Sequence, residues 1–280
     1  MAPDPKLLKR YRLQPNLPRH VAVIMDGNGR WAGKRGQMRI AGHRAGAESV
    51  RTAVRFCGEL GIEALTLYAF STENWRRPKA EIALLMQLLK RYLRHEVDEL
   101  KASNVQLHAI GRLSDLPRDC RAELDRARKI LASCTGLKLV LALSYSGRAD
   151  LTEAAKKLAV EVKAGRLSPS AVDEEALGSR LSTAGFPEVD LMIRTSGEKR
   201  LSNFLLWELA YSEIYVTKTL WPDFRERDLA AAIRDFQKRN RRFGGLVNVR
   251  GSAGSSNAGP HGSGTPKTGS RLEASTQGTP

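Results

Sequence analysis

No stretch of the 280-residue chain is an unbroken apolar run of about 18 residues, so no segment reads as a membrane-spanning helix. The opening residues, MAPDPKLLKRYRLQPNLPRH, lack the apolar centre of a signal peptide, which argues against export. Cysteine is scarce. Cys57, Cys120 and Cys134 cannot build a disulfide framework and contain no C-x-x-C pair, so they read as buried thiols of a reducing, cytoplasmic compartment. Aromatic residues make up only 6%, and none is interleaved with a basic stripe. With no helix-turn-helix or RNA-binding signature either, no nucleic-acid partner is expected. His95-Glu96 opens HEVDE rather than H-E-x-x-H, which removes a zinc protease.

Acidic residues are also short: 30 Asp+Glu face 46 Lys+Arg, a formal charge of +16. Residues 251–280 contribute only Lys267, Arg271 and Glu273, so nearly all of that charge belongs to the first 250 residues. A basic folded domain favours anionic company such as nucleic acid, an anionic membrane surface or phosphorylated substrates.

Composition divides the chain. Residues 1–18 form a basic, Pro-punctuated arm, and residues 19–245 form one domain. A Gly/Ser/Thr/Pro-rich tail, 246–280, has too little apolar surface to offset its ordering entropy and is expected to be disordered. Inside the domain, apolar runs at 20–25, 63–70, 105–110, 137–143 and 189–194 predict strands buried on both faces. Helical patterns cover 43–60, where Ala47, Val50, Val54 and Cys57 share a stripe, and 80–102. Others cover 118–133, 149–164, 173–183 and 227–241. The alternation predicts an α/β fold, a mostly parallel sheet flanked by helices, with ligands at the carboxyl ends of the strands.

Three loops at such ends carry chemistry. Asp26-Gly27-Asn28-Gly29-Arg30-Trp31 offers a turn whose N–H groups can cradle phosphate, a guanidinium fork and a carboxylate suited to a divalent ion. It is neither a Walker A loop nor an EF-hand, and taken alone it also fits an ordinary Gly/Asn turn. Arg39 and His43 follow at a helix start, where His43 suits either a proton carrier or a cap. Ser71-Thr72-Glu73-Asn74-Trp75-Arg76-Arg77 is the second loop, and Arg194 to Phe204, with Arg200 and Ser202, is the third. Alone, the second also fits a solvated turn.

HVAVIMDGNGRWA, GHRAGAESV, LTLYAFSTENWRRP, IRTSGEKRLSNFLLWELAYSEIY, LWPDF and NRRFGG stand in this order over about residues 17–245. In this the chain resembles the cis-prenyltransferase family, typified by undecaprenyl diphosphate synthase. The resemblance implies a homodimeric enzyme. It would add isopentenyl diphosphate repeatedly to an allylic diphosphate, usually farnesyl diphosphate, with Mg²⁺ and cis double bonds. The expected product is an undecaprenyl (C55) diphosphate, a lipid carrier for cell-wall glycan synthesis, grown in an apolar tunnel lined by 80–102 and the strand at Leu137–Leu143. The all-α trans-prenyltransferases need paired aspartates, and no two aspartates are adjacent here.

By the same resemblance Asp26 and Glu213 hold Mg²⁺. The turn from Gly27 through Asn28 and Gly29 to Arg30, with Trp31, Arg39 and Arg77, takes the allylic diphosphate. Ser71, Thr72, Glu73 and Trp75 also bind substrate, and Arg194, Arg200, Leu201 and Ser202 form the isopentenyl diphosphate pocket. A proton-acceptor role falls around Asn74. An amide is a poor base, so Asn74 is read as orienting, with His43, Asp26 or a diphosphate oxygen taking the proton. The Arg-x-Gly ending, Arg242 and Gly244, is implied to reach the partner chain's site. Two departures touch loop geometry: Ser196-Gly197 replaces Gly-Gly, and Ser144-Tyr145-Ser146-Gly147-Arg148 replaces Asn-Tyr-Gly-Gly-Arg. Family members without the Asp-Gly-Asn-Gly-Arg loop are non-catalytic, and this chain keeps it. A transient peripheral membrane contact through Lys6, Lys9, Arg10 and Arg12 is expected from the apolar product and the basic arm.

Overall fold

Strands buried on both faces need helices on both sides, and the computed structural model, which describes residues 3–239, builds that arrangement. In chain order the elements are α1 (Pro5–Tyr11), β1 (His20–Ile24), α2 (Asn28–Gly33), α3 (Arg39–Glu59), β2 (Ala64–Ser71), α4 (Lys79–His95) and α5 (Val97–Ala102). They continue as β3 (Gln106–Ile110), α6 (Arg118–Leu131), β4 (Lys138–Tyr145), α7 (Gly147–Lys163), α8 (Glu174–Gly178), β5 (Leu191–Arg194), β6 (Glu213–Val216) and α9 (Glu226–Lys238). The expected tail, with Arg242 and Gly244, lies outside the described residues.

All six strands are parallel, in the order β3-β4-β2-β1-β5-β6. Alternate residues of β1 face opposite layers. Val21 and Val23 join the larger core with Val54 and Phe56 of α3, Met86 of α4, Leu124 of α6 and Ile233 of α9. Ala22 and Ile24 join the smaller core with Met192, Phe204, Leu205 and Leu209. From β1 the chain moves to β2 on one side, whereas β5 and β6 lie on the other. The crevice between the carboxyl ends of β1 and β5 is therefore the topological switch point where such sheets bind ligands.

The five predicted strands and the α/β class are found. Four local features differ. β6 has no fully buried residue and exposes Ile214, so it carries no apolar run to read. The predicted helix 80–102 breaks at Glu96, a buried carboxylate turned to the Arg51 guanidinium at 2.7 Å. The predicted 173–183 helix is only α8, five residues long. The basic arm contains α1, whose Leu7, Leu8 and Tyr11 pack on the core.

Two glycines one turn apart on α3 let the first loop sit down. A Cβ on Gly42 would lie 1.9 Å from the Asn28 carbonyl oxygen, and one on Gly46 would lie 2.7 Å from Asn28 Oδ1 and 2.8 Å from the Trp221 ring. Backbone cannot yield as a flexible side chain does, so α2 and the loop before it depend on Gly42. Gly42→Ala is expected to cost about 1–3 kcal/mol, the range of overpacking, read as a lower urea midpoint. Gly33→Ala, with nothing within 4 Å of the added carbon, should be near neutral.

Candidate active site

β1 and β5 run side by side with Ile24 opposite Arg194, so the residues just past their ends face each other. Asp26 Oδ2 there accepts from Arg194 Nη2 at 2.6 Å and Nε at 3.0 Å. The Arg194 side chain is 3% exposed and that of Asp26 35%. Arg194 Nη1 donates to Ser202 Oγ at 3.0 Å and to the Arg200 carbonyl, tying the third loop to the first. The backbone oxygen of Asp26 is held by Trp221 N–H at 3.0 Å and Thr195 Oγ1 at 2.6 Å. Gly27 turns with φ +112°, a conformation that favours glycine, against Leu220.

A cavity of about 770 Å³ opens from this crevice between α3, α4 and the sheet. Its wall includes Asp26, Gly27, Asn28, Gly29 and Arg30 of the first loop, with Arg39 and His43 of α3. The second loop contributes Ser71, Glu73, Asn74 and Arg77, and the third Arg194, Arg200 and Ser202. Deeper in, the wall is apolar: Val50, Leu85, Leu88 and Leu89 from the helices, Leu141 and Leu143 from β4. One end of the cavity is cationic and the other greasy.

Two carboxylates that no sequence motif singles out sit among the arginines. Glu198 takes Arg30 Nη2 at 2.8 Å and also Arg200, while Arg30 Nη1 donates to the Ser196 carbonyl. Glu81 takes Arg77 at 3.0 Å and lies 4.0 Å from Arg39. Asn203, with φ +62°, is a third residue for which the sequence suggests no role, here an amide. Its side chain receives Arg148 N–H at 2.9 Å and donates to Ser146 Oγ at 2.7 Å and Glu73 at 3.1 Å, so it joins all the loops beyond the first. Its one local sign in the sequence is an Asn, tolerant of the left-handed region, in a turn.

Four predicted substrate contacts do not line the cavity. Trp31 turns its Nε1 to Asp223 at 2.7 Å, under the Arg35 guanidinium. Trp75 donates to Ser144 Oγ at 2.9 Å and packs edge-on against Phe70. Leu201 packs against the smaller core, and Thr72 starts the single turn of 3₁₀ helix after β2. Asn74 does reach the wall, but its Oδ1 also accepts the Ser71 N–H at 3.2 Å as a cap. Glu213 is not brought to Asp26 within the chain. It opens β6 level with Leu191 and Val21, at the amino end of the sheet, and its Oε2 takes Arg239 Nη1 at 2.7 Å.

His43 has its pKa lowered to about 4, first by burial, then by Arg77 and Arg39, with Glu81 opposing. It is therefore neutral near pH 7 and able to accept a proton. Because the unfolded chain binds that proton more readily, stability is lost as pH falls from about 6.5 toward 4. Between pH 7.5 and 5 the wild type is expected to lose up to about 2 kcal/mol more than His43→Gln in urea titrations. Equal losses would show that His43 carries no such penalty.

Comparison with known proteins shows the family. A family model described as "Putative undecaprenyl diphosphate synthase" matches residues 24–244. An isoprenyl transferase of Chlorobaculum tepidum is 53% identical over 228 residues, 81% of this chain and 86% of that one. An isoprenyl transferase of Brucella suis is 51% identical over 236 residues, 84% of this chain and 92% of its own. Among solved structures, lavandulyl diphosphate synthase from Lavandula x intermedia, in complex with dimethylallyl diphosphate, has a TM-score of 0.80 at 39% identity. That match covers 82% of this chain and 99% of the other. A probable undecaprenyl diphosphate synthase from Campylobacter jejuni has a TM-score of 0.68 at 37% identity, covering 82% of this chain and all of the other. The chain is thus a prenyltransferase and belongs to the undecaprenyl diphosphate synthase family of cis-prenyltransferases.

Proposed function

We propose that this prenyltransferase elongates farnesyl diphosphate with successive isopentenyl diphosphates, in the presence of Mg²⁺, to a long polyprenyl diphosphate of undecaprenyl length. The observation that carries the reading is the cavity itself, whose arginine-lined mouth continues into an apolar channel between α3, α4 and the sheet. A prenyl diphosphate has that polarity, an anionic head on an apolar tail.

Arg30, Arg39 and Arg77 stand where charge grows on a departing allylic diphosphate, and fixed donors there lower the barrier. Arg194, Arg200 and Ser202 orient the incoming isopentenyl diphosphate. Once the allyl carbon, freed of its diphosphate, has bonded to C4 of the isopentenyl unit, neutral His43 accepts the proton lost from C2 of that unit, with Asn74 orienting the chain. The residues present fit Mg²⁺ in one way. Arg194 engages only Oδ2 of Asp26, and no cluster of three His, Cys, Asp or Glu able to hold a metal occurs among the described residues. Such a site suits an ion held by one carboxylate plus substrate phosphates, where it would neutralise diphosphate charge. No helix of the described residues is long and apolar enough to span a membrane. An apolar product in a cytoplasmic enzyme would be released to lipid or detergent through transient surface contact.

The enzyme works as a homodimer. Among the described residues β6 is an edge of the sheet, and its Ile214 and the nearby Tyr211 are 42% and 74% exposed, an apolar strip suited to a second copy. Glu213 serves the other copy's site, because its own Asp26 lies at the opposite end of the sheet.

With farnesyl diphosphate, labelled isopentenyl diphosphate and Mg²⁺, a ladder of products ending near C55 is expected, and failure to elongate would end the reading. Arg200→Ala should raise the Michaelis constant for isopentenyl diphosphate about 10- to 150-fold, the worth of a charged hydrogen bond, with farnesyl diphosphate affinity little changed. Asp26→Asn keeps an acceptor for Arg194, so its loss should fall on turnover. Loss of farnesyl diphosphate binding with turnover intact would contradict the role given to Asp26. Mixed dimers of Asp26→Ala and Glu213→Ala subunits should regain one intact site. An inactive mixed dimer would place Glu213 outside the partner's site.

A further inference from the structure

A second hollow, of about 560 Å³, lies on the outer flank where α1 meets α9, and shares no residue with the reaction cavity. Arg10, Tyr11, Arg12, Arg227 and Arg234 line it. Four guanidiniums around one hollow repel each other unless something anionic sits among them, and no lining residue is acidic.

The nearby carboxylates are engaged elsewhere. On α9, Glu226 takes Arg55 at 2.8 Å, Asp228 takes Thr219 Oγ1 at 2.7 Å and the Arg225 N–H, and Asp235 takes Arg239. On the α1 side, Asp4 caps the helix through the Lys6 N–H. Among the described residues none of the four arginines has a salt bridge, although Arg30, Arg51, Arg77, Arg194 and Arg200 all do.

The cluster is also held in shape. Arg234 Nη1 donates to the Tyr11 carbonyl at 2.7 Å, and the Arg10 guanidinium lies 5.4 Å from the Tyr11 ring centroid. Tyr11 packs edge-on against Phe56 of α3 at 5.0 Å. Arg12 leaves α1 with φ 53°, and Arg227 and Arg234, seven residues apart, share one face of α9. The arginines are thus presented together by packed backbone rather than scattered on a flexible arm.

We propose that this hollow is a second anion site that takes a phosphate monoester, whose oxygens match several guanidinium forks at once. Such a group comes from a lipid headgroup or from a soluble phosphate, and the two are separable. Full-length protein would be sedimented with vesicles of phosphatidylcholine alone or with phosphatidic acid, with and without glycerol 3-phosphate as competitor. Its direct binding of glycerol 3-phosphate would be titrated in parallel.

Three proteins are compared: wild type, Arg12→Gln/Arg227→Gln, and Lys6→Gln/Lys9→Gln, which removes equal charge from α1 outside the hollow. The arginine pair is expected to weaken binding at least about tenfold, and the lysine pair far less. Loss confined to vesicles identifies the headgroup as the source, and loss of glycerol 3-phosphate binding identifies the soluble ester. Equal loss in both variants would reduce the effect to diffuse surface charge and overturn the proposal, as would no loss in either. Turnover in detergent, unchanged in both variants, shows that the fold and the reaction site are intact.

Discussion

The buried guanidinium of Arg194 is the constraint around which the site is organised. It ends β5, a strand paired on both sides, almost without solvent, where an unpaired charge costs several kcal/mol. Asp26 supplies the countercharge, and the Ser202 hydroxyl and Arg200 carbonyl take further donors. Satisfying this one cation therefore fixes the loop after β1 against the loop after β5. It also closes the crevice in which an α/β sheet binds its ligand. Asp26 is an anchor of the fold as much as a group poised for chemistry, and the two duties meet in one carboxylate.

The same logic runs through the cavity mouth. Glu198 sits between Arg30 and Arg200, and Glu81 between Arg77 and Arg39, so the guanidinium groups proposed to take phosphate are already paired. Binding a diphosphate is then an exchange of anions rather than the filling of an open positive field. Exposed pairs of this kind are weak, worth about 0–1 kcal/mol, and yield readily to a multiply charged ligand. His43 feels the balance too: burial does most to hold its proton off, Arg77 and Arg39 add to that, and Glu81 pulls the other way. A diphosphate that neutralises those arginines would relieve their share of that lowering.

Much of this is legible in the amino-acid sequence. Apolar runs mark the buried strands, and glycines with polar residues at their carboxyl ends mark the loops. What escapes depends on direction and register. Trp31 and Trp75 sit in ligand-like loops, yet an indole N–H needs a partner when packed, and each finds one inside the protein, at Asp223 and Ser144. Glu81 and Glu198 look like ordinary charges paired with near neighbours, Arg77 and Arg200, because their distant partners, Arg39 and Arg30, come from α3 and the β1 loop. The position of Glu213 follows from the pairing of β6 with β5, and a four-residue strand with no buried run announces no register. The family resemblance supplies its role but not its place in the sheet.

The way α4 is held explains how one cavity can be both firm at its mouth and roomy at its base. Met86 and Leu93 are buried on α4, and Met86 joins Leu85, Leu88 and Leu89 in lining the cavity. The outer side is tied to α6 by Lys90 to Asp119, Arg94 to Glu123 and the Cys120 thiol to the Met86 carbonyl. Across the cavity, Arg51 to Glu96 bridges α3 to the residue after α4. Among the described residues no such tie between α3 and α4 interrupts the apolar wall itself, so contact there is by side chains that can change rotamer. An apolar tail entering that space replaces contacts the wall otherwise lacks, and burial of its methylenes, about 0.8 kcal/mol each, grows with its length. The Glu81 pairs with Arg77 and Arg39 stand at the mouth proposed to hold the diphosphate, and the untied apolar wall lies between them and the Arg51 to Glu96 bridge, where the proposed chain would lengthen.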